Sequence, residues 1–391
     1  MSKEIKRKLL AVGFSMSMLY ALFFAMPLYL NSTMLSKYFD SESVSFIYVI
    51  SAIFTFVFSF SISKYVKKIH NYNFTLLILL ISFLATLSLG IFDNKTIIFF
   101  AFILNFLGTS VLFTLLNLYI EEFGDRENEG SVRGIFLTLV NAGILIAPLI
   151  AGQLLMTHGY SSVYIVAALT LIPIAFLIRH YYVHIPDPVY KDINLKTTFK
   201  QIIKDKNVSS IMMSAFVLES FFTVMAIYAP LYLIQYTDIT VAQYIGIILP
   251  FALIPFVLLP YELGYLADKK FGEKEMLIIG FFFVIACALL FPFFVINYGT
   301  IFMLSIFLFI SRIGAAMIET MNHTYFYKKI TVDRVAIISV FNNMRTLAYI
   351  ITPLIATAVI YITGDIKYVF VTYAVLAFVS IFKLAKIKDT L

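Results

Sequence analysis

Pro-Leu-Tyr-Leu occupies residues 27–30 of the chain and recurs at residues 230–233, an offset of 203 residues. Pro-Leu-Ile-Ala occupies residues 148–151 and recurs at residues 353–356, an offset of 205 residues. Two repeated words at nearly one offset predict that the chain consists of two halves with the same fold. Each word falls in the corresponding apolar stretch of its half, so we expect the two halves to have the same orientation.

Twelve apolar stretches are long enough to cross a bilayer, because a helix needs about 20 apolar residues to span a hydrocarbon core of about 30 Å. Of the 391 residues, 61% are hydrophobic and only 13% are charged, whereas about 25% of residues are charged in a soluble protein. We predict an all-α polytopic membrane protein with twelve transmembrane helices in two pseudo-symmetric six-helix bundles. The predicted spans are residues 9–31, 43–63, 74–92, 96–120, 132–156, 162–178, 209–235, 241–263, 276–297, 300–321, 336–361 and 368–382.

The long polar connection at residues 179–208 divides the chain. It predicts an N-terminal bundle over residues 1–178, a cytoplasmic linker over 179–208 and a C-terminal bundle over 209–391. Of the 29 lysines and arginines, 24 fall on the side that holds both termini, 3 on the other side and 2 inside spans. Because cytoplasmic loops carry the excess of positive charge, we expect both termini in the cytoplasm and the protein in a bacterial inner (plasma) membrane.

Several function classes are disfavoured. The net charge is +7, but the basic residues lie near the ends of the apolar spans. We therefore expect no nucleic-acid partner. Cys287 is the only cysteine, which excludes an internal disulfide and a cysteine-based metal cluster, and the five histidines are scattered. There is no phosphate-binding Gly-x-x-x-x-Gly-Lys-Ser/Thr loop and no evident nucleophile with a base. We expect no cofactor, no metal and no enzymatic activity.

The stretch Gly-Tyr-Leu-Ala-Asp-Lys-Lys-Phe-Gly at residues 264–272 resembles the cytoplasmic loop signature of the major facilitator superfamily. It follows the eighth span, where that family places its second copy. The first copy has decayed to Ser-Phe-Ser-Ile-Ser-Lys at residues 59–64, with Ser63 where the family usually has its aspartate. The resemblance implies a secondary transporter that works by alternating access.

The resemblance also implies a gating role for this loop. Gly264 is expected to let helices approach closely. Asp268 is expected to accept hydrogen bonds from a helix N-terminus, where a carboxylate is favoured, and the fifth span begins beside Arg133. Alternatively, Asp268 and Lys269 belong to a solvated turn whose charges only set the topology.

The fifth span contains Gly134, Gly143, Pro148 and Gly152, and it resembles the signature of the exporting, proton-antiporting branches of the superfamily. Small residues let helices pack tightly and proline bends a helix; tight packing in any carrier is the alternative. Those branches usually hold an arginine in the fourth span, which is absent here, whereas the tenth span contains Arg312.

Glu219, Arg312 and Arg345 are predicted near mid-depth of the seventh, tenth and eleventh spans. A charge there costs at least about 2.5–3.5 kcal/mol, so we expect these side chains to pair with one another or to face a watery central cavity. Glu319 follows Arg312 by two helical turns on the same face. The set is either a site for protons (Glu219, Glu319) and substrate (Arg312, Arg345) or a structural salt-bridge network.

Polar residues of the first half add to the candidates. Tyr20, Asn105 and Asn141 lie in spans one, four and five, where they either contact substrate or join helices. Three prolines within residues 250–260 are expected to bend the eighth span.

These observations favour a secondary active transporter of a small organic or amphipathic solute, with proton-coupled export by alternating access. One alternative is uptake or exchange of an anionic or zwitterionic metabolite held by Arg312 and Arg345. Another is a non-transporting receptor built on a carrier fold. The expected partners are a small-molecule substrate, protons and the lipid bilayer, and we expect a monomer.

Overall fold

A computed structural model describes residues 3–123, 129–183, 195–329 and 335–387, and all regular structure in these ranges is helical. The helices of the first part are α1 (Lys3–Leu28), α2 (Asn31–Leu35), α3 (Ser41–Ser59), α4 (Ile62–Ile69), α5 (Asn71–Ile91), α6 (Lys95–Phe123), α7 (Glu129–Leu169) and α8 (Leu171–Tyr181). Those of the second part are α9 (Leu195–Lys204), α10 (Lys206–Tyr236), α11 (Val241–Gln243), α12 (Leu249–Leu253), α13 (Pro255–Leu258), α14 (Pro260–Leu266), α15 (Gly272–Tyr298), α16 (Ile301–Lys329), α17 (Val335–Asn342), α18 (Met344–Thr363) and α19 (Lys367–Leu384). Two π-helical turns, Tyr244–Ile248 and Ala267–Phe271, interrupt the second part.

The described ranges contain eleven helical segments that are long and apolar enough to cross a membrane. One of them, Thr138–Tyr181, has 44 residues and would measure roughly 66 Å if straight, about twice the hydrocarbon core. Gly159 interrupts it with φ 77° and ψ −172°, a backbone conformation that glycine adopts far more readily than other residues. The break separates the predicted fifth and sixth spans. The predicted all-α membrane architecture is confirmed, and twelve crossings follow from the helices together with this break.

The chain folds as two compact units. The first comprises Met1–Tyr38 and Ile50–Asp192, and the second comprises Phe39–Val49 and Ile193–Leu391. The first part of α3 therefore belongs to the second unit. Its Ser45 hydroxyl lies 2.9 Å from the Tyr228 hydroxyl of α10 in a buried hydrogen bond.

The core of the first unit depends on a close crossing of α1 and α7. A Cβ added at Gly143 of α7 would lie 2.6 Å from the Cβ of Ala21 in α1, which is closer than two non-bonded carbon atoms can approach. Two tyrosines tie the ends of the unit together: the Tyr164 hydroxyl donates to Asn31 Oδ1 at 2.7 Å and the Tyr182 hydroxyl to the Leu9 carbonyl at 2.6 Å. Close approach with satisfied buried hydroxyls makes this a tightly packed bundle.

The second unit is organised around α10. This helix packs against α16, α18 and α19, and among the candidate spans of the described ranges it is the most enclosed. Next to it, α15 crosses α16 where a Cβ added at Gly280 would lie 2.8 Å from the Gly314 carbonyl oxygen. Charged residues on α10 and α16 are therefore held in a dense helical environment.

The eighth predicted span is a chain of short segments. After the π-helical turn Tyr244–Ile248 come α12, α13 and α14, and the breaks fall next to Pro255 and Pro260, because proline cannot donate the helical hydrogen bond. The following signature stretch is helical as far as Phe271, and Gly272 turns the chain into α15 with φ 77° and ψ 157°.

Candidate functional site

The second unit contains an ion pair between two of its transmembrane helices. Arg345 Nε of α18 donates a hydrogen bond to Glu219 Oε2 of α10 at 2.9 Å. The Arg345 side chain is 47% exposed and that of Glu219 is 19% exposed. The structure therefore brings these two predicted site residues together, with the arginine half-exposed at the surface of the unit.

Glu319 of α16 lies within electrostatic range of both members of this pair. Its side chain is half-buried, and in the described part of the chain it makes no hydrogen bond or ion pair. We call Glu219, Glu319 and Arg345 the charge cluster. It has two acids and one base, and within the described ranges no three His, Cys, Asp or Glu side chains assemble into a metal site.

Arg312 does not join the charge cluster. Its side chain is 0% exposed, and its guanidinium carbon lies 5.0 Å and 5.9 Å from the ring centres of Phe221 and Phe222. None of its guanidinium nitrogens has a hydrogen-bond partner within the described structure. The expectation that Arg312 pairs with an acid or faces water is therefore not met. The reason is that α10 places two aromatic rings beside the guanidinium, so cation–π attraction takes the place of an ion pair.

The polar candidates of the first unit mostly hold helices together. The Tyr20 hydroxyl donates to the Thr109 carbonyl at 2.9 Å, and Asn105 Nδ2 donates to Thr86 Oγ1 at 2.7 Å. Both side chains are buried, so these contacts correspond to the helix-joining alternative. Asn141 is half-buried on α7.

The signature stretch lacks one expected feature. A Cβ added at Gly264 would meet no atom within 4 Å, so the expectation of a close helix approach at this glycine is wrong; α14 has open space there. Lys269 Nζ lies 5.3 Å from the ring centre of Tyr265, one turn before it. The side chains of Asp268 and Arg133 lie outside the described part of the structure, and a latch between them stays a prediction.

The small residues predicted for helix packing are distributed along α7. Gly143 lies at the crossing with α1, and Pro148 and Gly152 are buried. The surroundings of Gly134 lie outside the described residues.

Sequence reasoning missed an ion pair beside the signature stretch. Lys328 Nζ at the end of α16 lies 2.6 Å from Glu273 Oε1 in the first turn of α15, and the Glu273 side chain is buried. Each charge suits its helix end, because helix N-termini favour anions and C-termini favour cations. That preference was the available signal, but it does not identify a partner 55 residues away.

Comparison with known proteins identifies the family that has this architecture. The family model described as Major Facilitator Superfamily matches residues 9–296 and 238–389. No curated protein sequence gives a significant match.

Among solved structures, a bacterial homologue of the human lysosomal transporter Spinster, inward-facing and unoccupied, has 12% identity and a TM-score of 0.75 over 98% of this chain and 97% of that chain. The POT-family transporter PepTSo has 13% identity and a TM-score of 0.76 over 97% of each chain. An auto-inhibited POT-family peptide transporter has 11% identity and a TM-score of 0.77 over 98% of each. At such identities these structures establish the shared fold alone. With the family model matched over nearly its whole length, the chain belongs to the Major Facilitator Superfamily and is an integral membrane secondary transporter.

Proposed function

We propose that this protein exports a small organic or amphipathic solute in exchange for protons, by alternating access. The observation that carries the proposal is the charge cluster: two acids and one arginine on α10, α16 and α18, with Arg345 paired to Glu219 and Glu319 beside them. Ionisable residues within membrane spans are functional by default, because keeping them there is costly.

The balance of charge in the cluster favours a cation or proton over an anion. With both acids ionised, Glu219, Glu319 and Arg345 sum to one negative charge. An uncompensated charge at mid-membrane costs at least about 2.5–3.5 kcal/mol, and one proton or one cationic group on the substrate removes it. Proton and cationic substrate then compete for one site, which is the arrangement that antiport requires.

The two acids are suited to different tasks. Glu219 is held by Arg345, so removing its charge also releases the arginine. Glu319 makes no such pair in the described structure and is the more direct proton carrier. We assign Glu319 as the coupling acid and Glu219 with Arg345 as the pair that responds to substrate.

The proposal that transport is outward rests on the sequence of the fifth span. Its small residues resemble those of the exporting branches, and Gly143 occupies a helix crossing too close for any side chain. We further propose cytoplasmic termini, on the strength of the 24 to 3 asymmetry of basic residues. A location in a bacterial inner membrane and a monomeric working unit complete the proposal.

Uptake or exchange of an anionic or zwitterionic metabolite is the second candidate. It is favoured by one observation: Arg345 is 47% exposed, so a substrate carboxylate has access to it and could replace Glu219. The buried Arg312 offers no comparable access in this conformation. A non-transporting receptor is the third possibility, and it predicts no solute flux at all.

Flux through purified protein in lipid vesicles separates these functions. A pH gradient, acid inside, is imposed on vesicles that contain the protein, and accumulation of ethidium, a lipophilic cation, is compared with accumulation of a radiolabelled dicarboxylate. The proposal predicts gradient-driven ethidium accumulation that collapses with a protonophore. Dicarboxylate exchange without a response to the pH gradient would support the second candidate, and flux of neither class across a chemical library would support a receptor.

A further inference from the structure

Helix α9 is an amphipathic surface helix with an uncovered apolar strip. On one face Thr198 and Ile202 are buried, where α9 packs against α10 and α17. Beside that face Phe199 is 38% exposed and Ile203 is 74% exposed. The helix therefore presents two exposed apolar side chains directly beside the face that packs against the protein.

The order of side chains around α9 is what a membrane surface requires. Each residue turns the helix by about 100°, so Phe199 and Ile203 lie on one line, next to the packed face. Lys200 and Lys204 lie on the adjoining line, and both are exposed. Around the helix the faces therefore run from protein-packed to apolar to basic, the pattern of helices that lie in the headgroup layer.

The connection to α10 sets the level of α9 relative to the bilayer. Asp205 alone separates the two helices; its backbone is extended (φ −91°, ψ 105°), and its side chain caps α10 by accepting from the Asn207 and Val208 amides. The chain thus turns away from the α10 axis at this residue. With 31 residues, α10 is roughly 46 Å long and exceeds the hydrocarbon core of about 30 Å, which leaves its ends in the headgroup layers.

We propose that α9 binds the surface of an anionic phospholipid bilayer, with Phe199 and Ile203 inserted at the acyl boundary and Lys200 and Lys204 on lipid phosphates. The charges are complementary, since Lys200 and Lys204 are free of acidic partners in the described structure, and the side of the membrane that holds α9 is predicted to carry 24 of the 29 basic residues. The surface anchors the N-terminal end of α10, the helix that carries Glu219. This inference does not depend on the proposed substrate or coupling.

The absence of tryptophan from the chain makes a direct test possible. The variant Phe199→Trp is reconstituted into vesicles, with Ile203→Trp as a second reporter and Gln201→Trp as the matched control, because Gln201 is exposed on the opposite side of α9. The proposal predicts blue-shifted emission from both reporters in vesicles, with strong quenching by phospholipids brominated near the carbonyl end of the chain. The Gln201→Trp control is expected to emit as a water-exposed tryptophan.

The lipid charge is tested with the same reporters. Quenching of Phe199→Trp is expected to be at least two-fold stronger in vesicles that contain phosphatidylglycerol than in pure phosphatidylcholine. In Phe199→Trp/Lys200→Gln/Lys204→Gln that difference is expected to disappear, and a difference that persists in this variant would overturn the assignment of the two lysines to lipid phosphates. Emission of Phe199→Trp and Ile203→Trp that matches the control, or that is already blue-shifted in detergent and insensitive to brominated lipid, would overturn the proposal. The second of these results would mean that another part of the protein covers the strip.

Discussion

The guanidinium of Arg312 lies 5.0 Å from the ring centre of Phe221 and has no hydrogen-bond partner in the described chain. Arg345, by contrast, is paired with Glu219 at 2.9 Å. Two arginines at similar predicted depth in one bundle thus have opposite electrostatic environments. Removing their charges should have opposite consequences for stability.

We predict that Arg312→Met stabilises the protein by about 1–2 kcal/mol. The substitution removes a buried charge that costs at least about 2.5–3.5 kcal/mol, while the cation–π attraction it loses contributes about 0.5–2 kcal/mol. Arg345→Met is the matched comparison: it leaves the Glu219 carboxylate, which is only 19% exposed, without its partner, and we expect a destabilisation of about 1–3 kcal/mol. Thermal unfolding of both variants in detergent measures the difference. Destabilisation by Arg312→Met as large as that by Arg345→Met would show that Arg312 has a partner.

Because α1 and α7 cross so closely, we expect a single added methyl group at the crossing to change the stability strongly. In Gly143→Ala the new Cβ would lie 2.6 Å from Ala21 Cβ, so the helices must move apart, and we expect a destabilisation of about 1–3 kcal/mol. Gly264→Ala is the control, because its Cβ meets nothing within 4 Å and alanine favours a helix by about 0.5–1 kcal/mol. Unfolding midpoints should therefore fall for the first variant and rise for the second.

The double variant Gly143→Ala/Ala21→Gly tests the cause. Because it moves the methyl group to the other helix, it should recover most of the lost stability. No recovery, or equal behaviour of the two glycine positions, would refute the close crossing as the reason.

The carboxylate of Asp365, in the loop before α19, is expected to make a contribution to stability that is lost in acid. Burial alone would raise the pKa of Asp365, but the backbone amide and ammonium of Lys367 outweigh it and hold that pKa below its usual value. A carboxyl with a lowered pKa in the folded state stabilises fully above its unfolded pKa of about 3.9, and this contribution is lost as the pH falls through the folded pKa.

Asp365→Asn should therefore reduce stability at neutral pH, and its difference from the wild type should begin to shrink as the pH falls below about 4. The measurement is the unfolding midpoint between neutral pH and pH 3. Asp238→Asn is the control, since Asp238 is exposed and forms no ion pair in the described structure. A constant difference between Asp365→Asn and wild type over the whole range would rule out the linkage.

The membrane architecture was accessible from sequence because bilayer thickness constrains helix length, and the boundary near Gly159 fell between two predicted spans. Rotation of each helix about its axis was not accessible. Their spacing places Arg312 and Glu319 on one face of α16. In the structure, however, Arg312 lies beside two aromatic rings of α10, whereas Glu319 lies near the Arg345–Glu219 pair. Spacing also cannot tell which glycine meets a neighbour: Gly143 does and Gly264 does not.

On the proposed mechanism, Glu319 carries the proton that is exchanged for substrate. This role is tested most directly by comparing pH-gradient-driven accumulation of ethidium with ethidium-for-ethidium exchange at equal pH, in vesicles containing wild type, Glu319→Gln or Glu42→Gln. Glu42 is exposed in the first turn of α3 and controls for the loss of one acid. We expect Glu319→Gln to retain exchange and to lose accumulation, and Glu42→Gln to retain both. Accumulation by Glu319→Gln at the wild-type level would contradict this role.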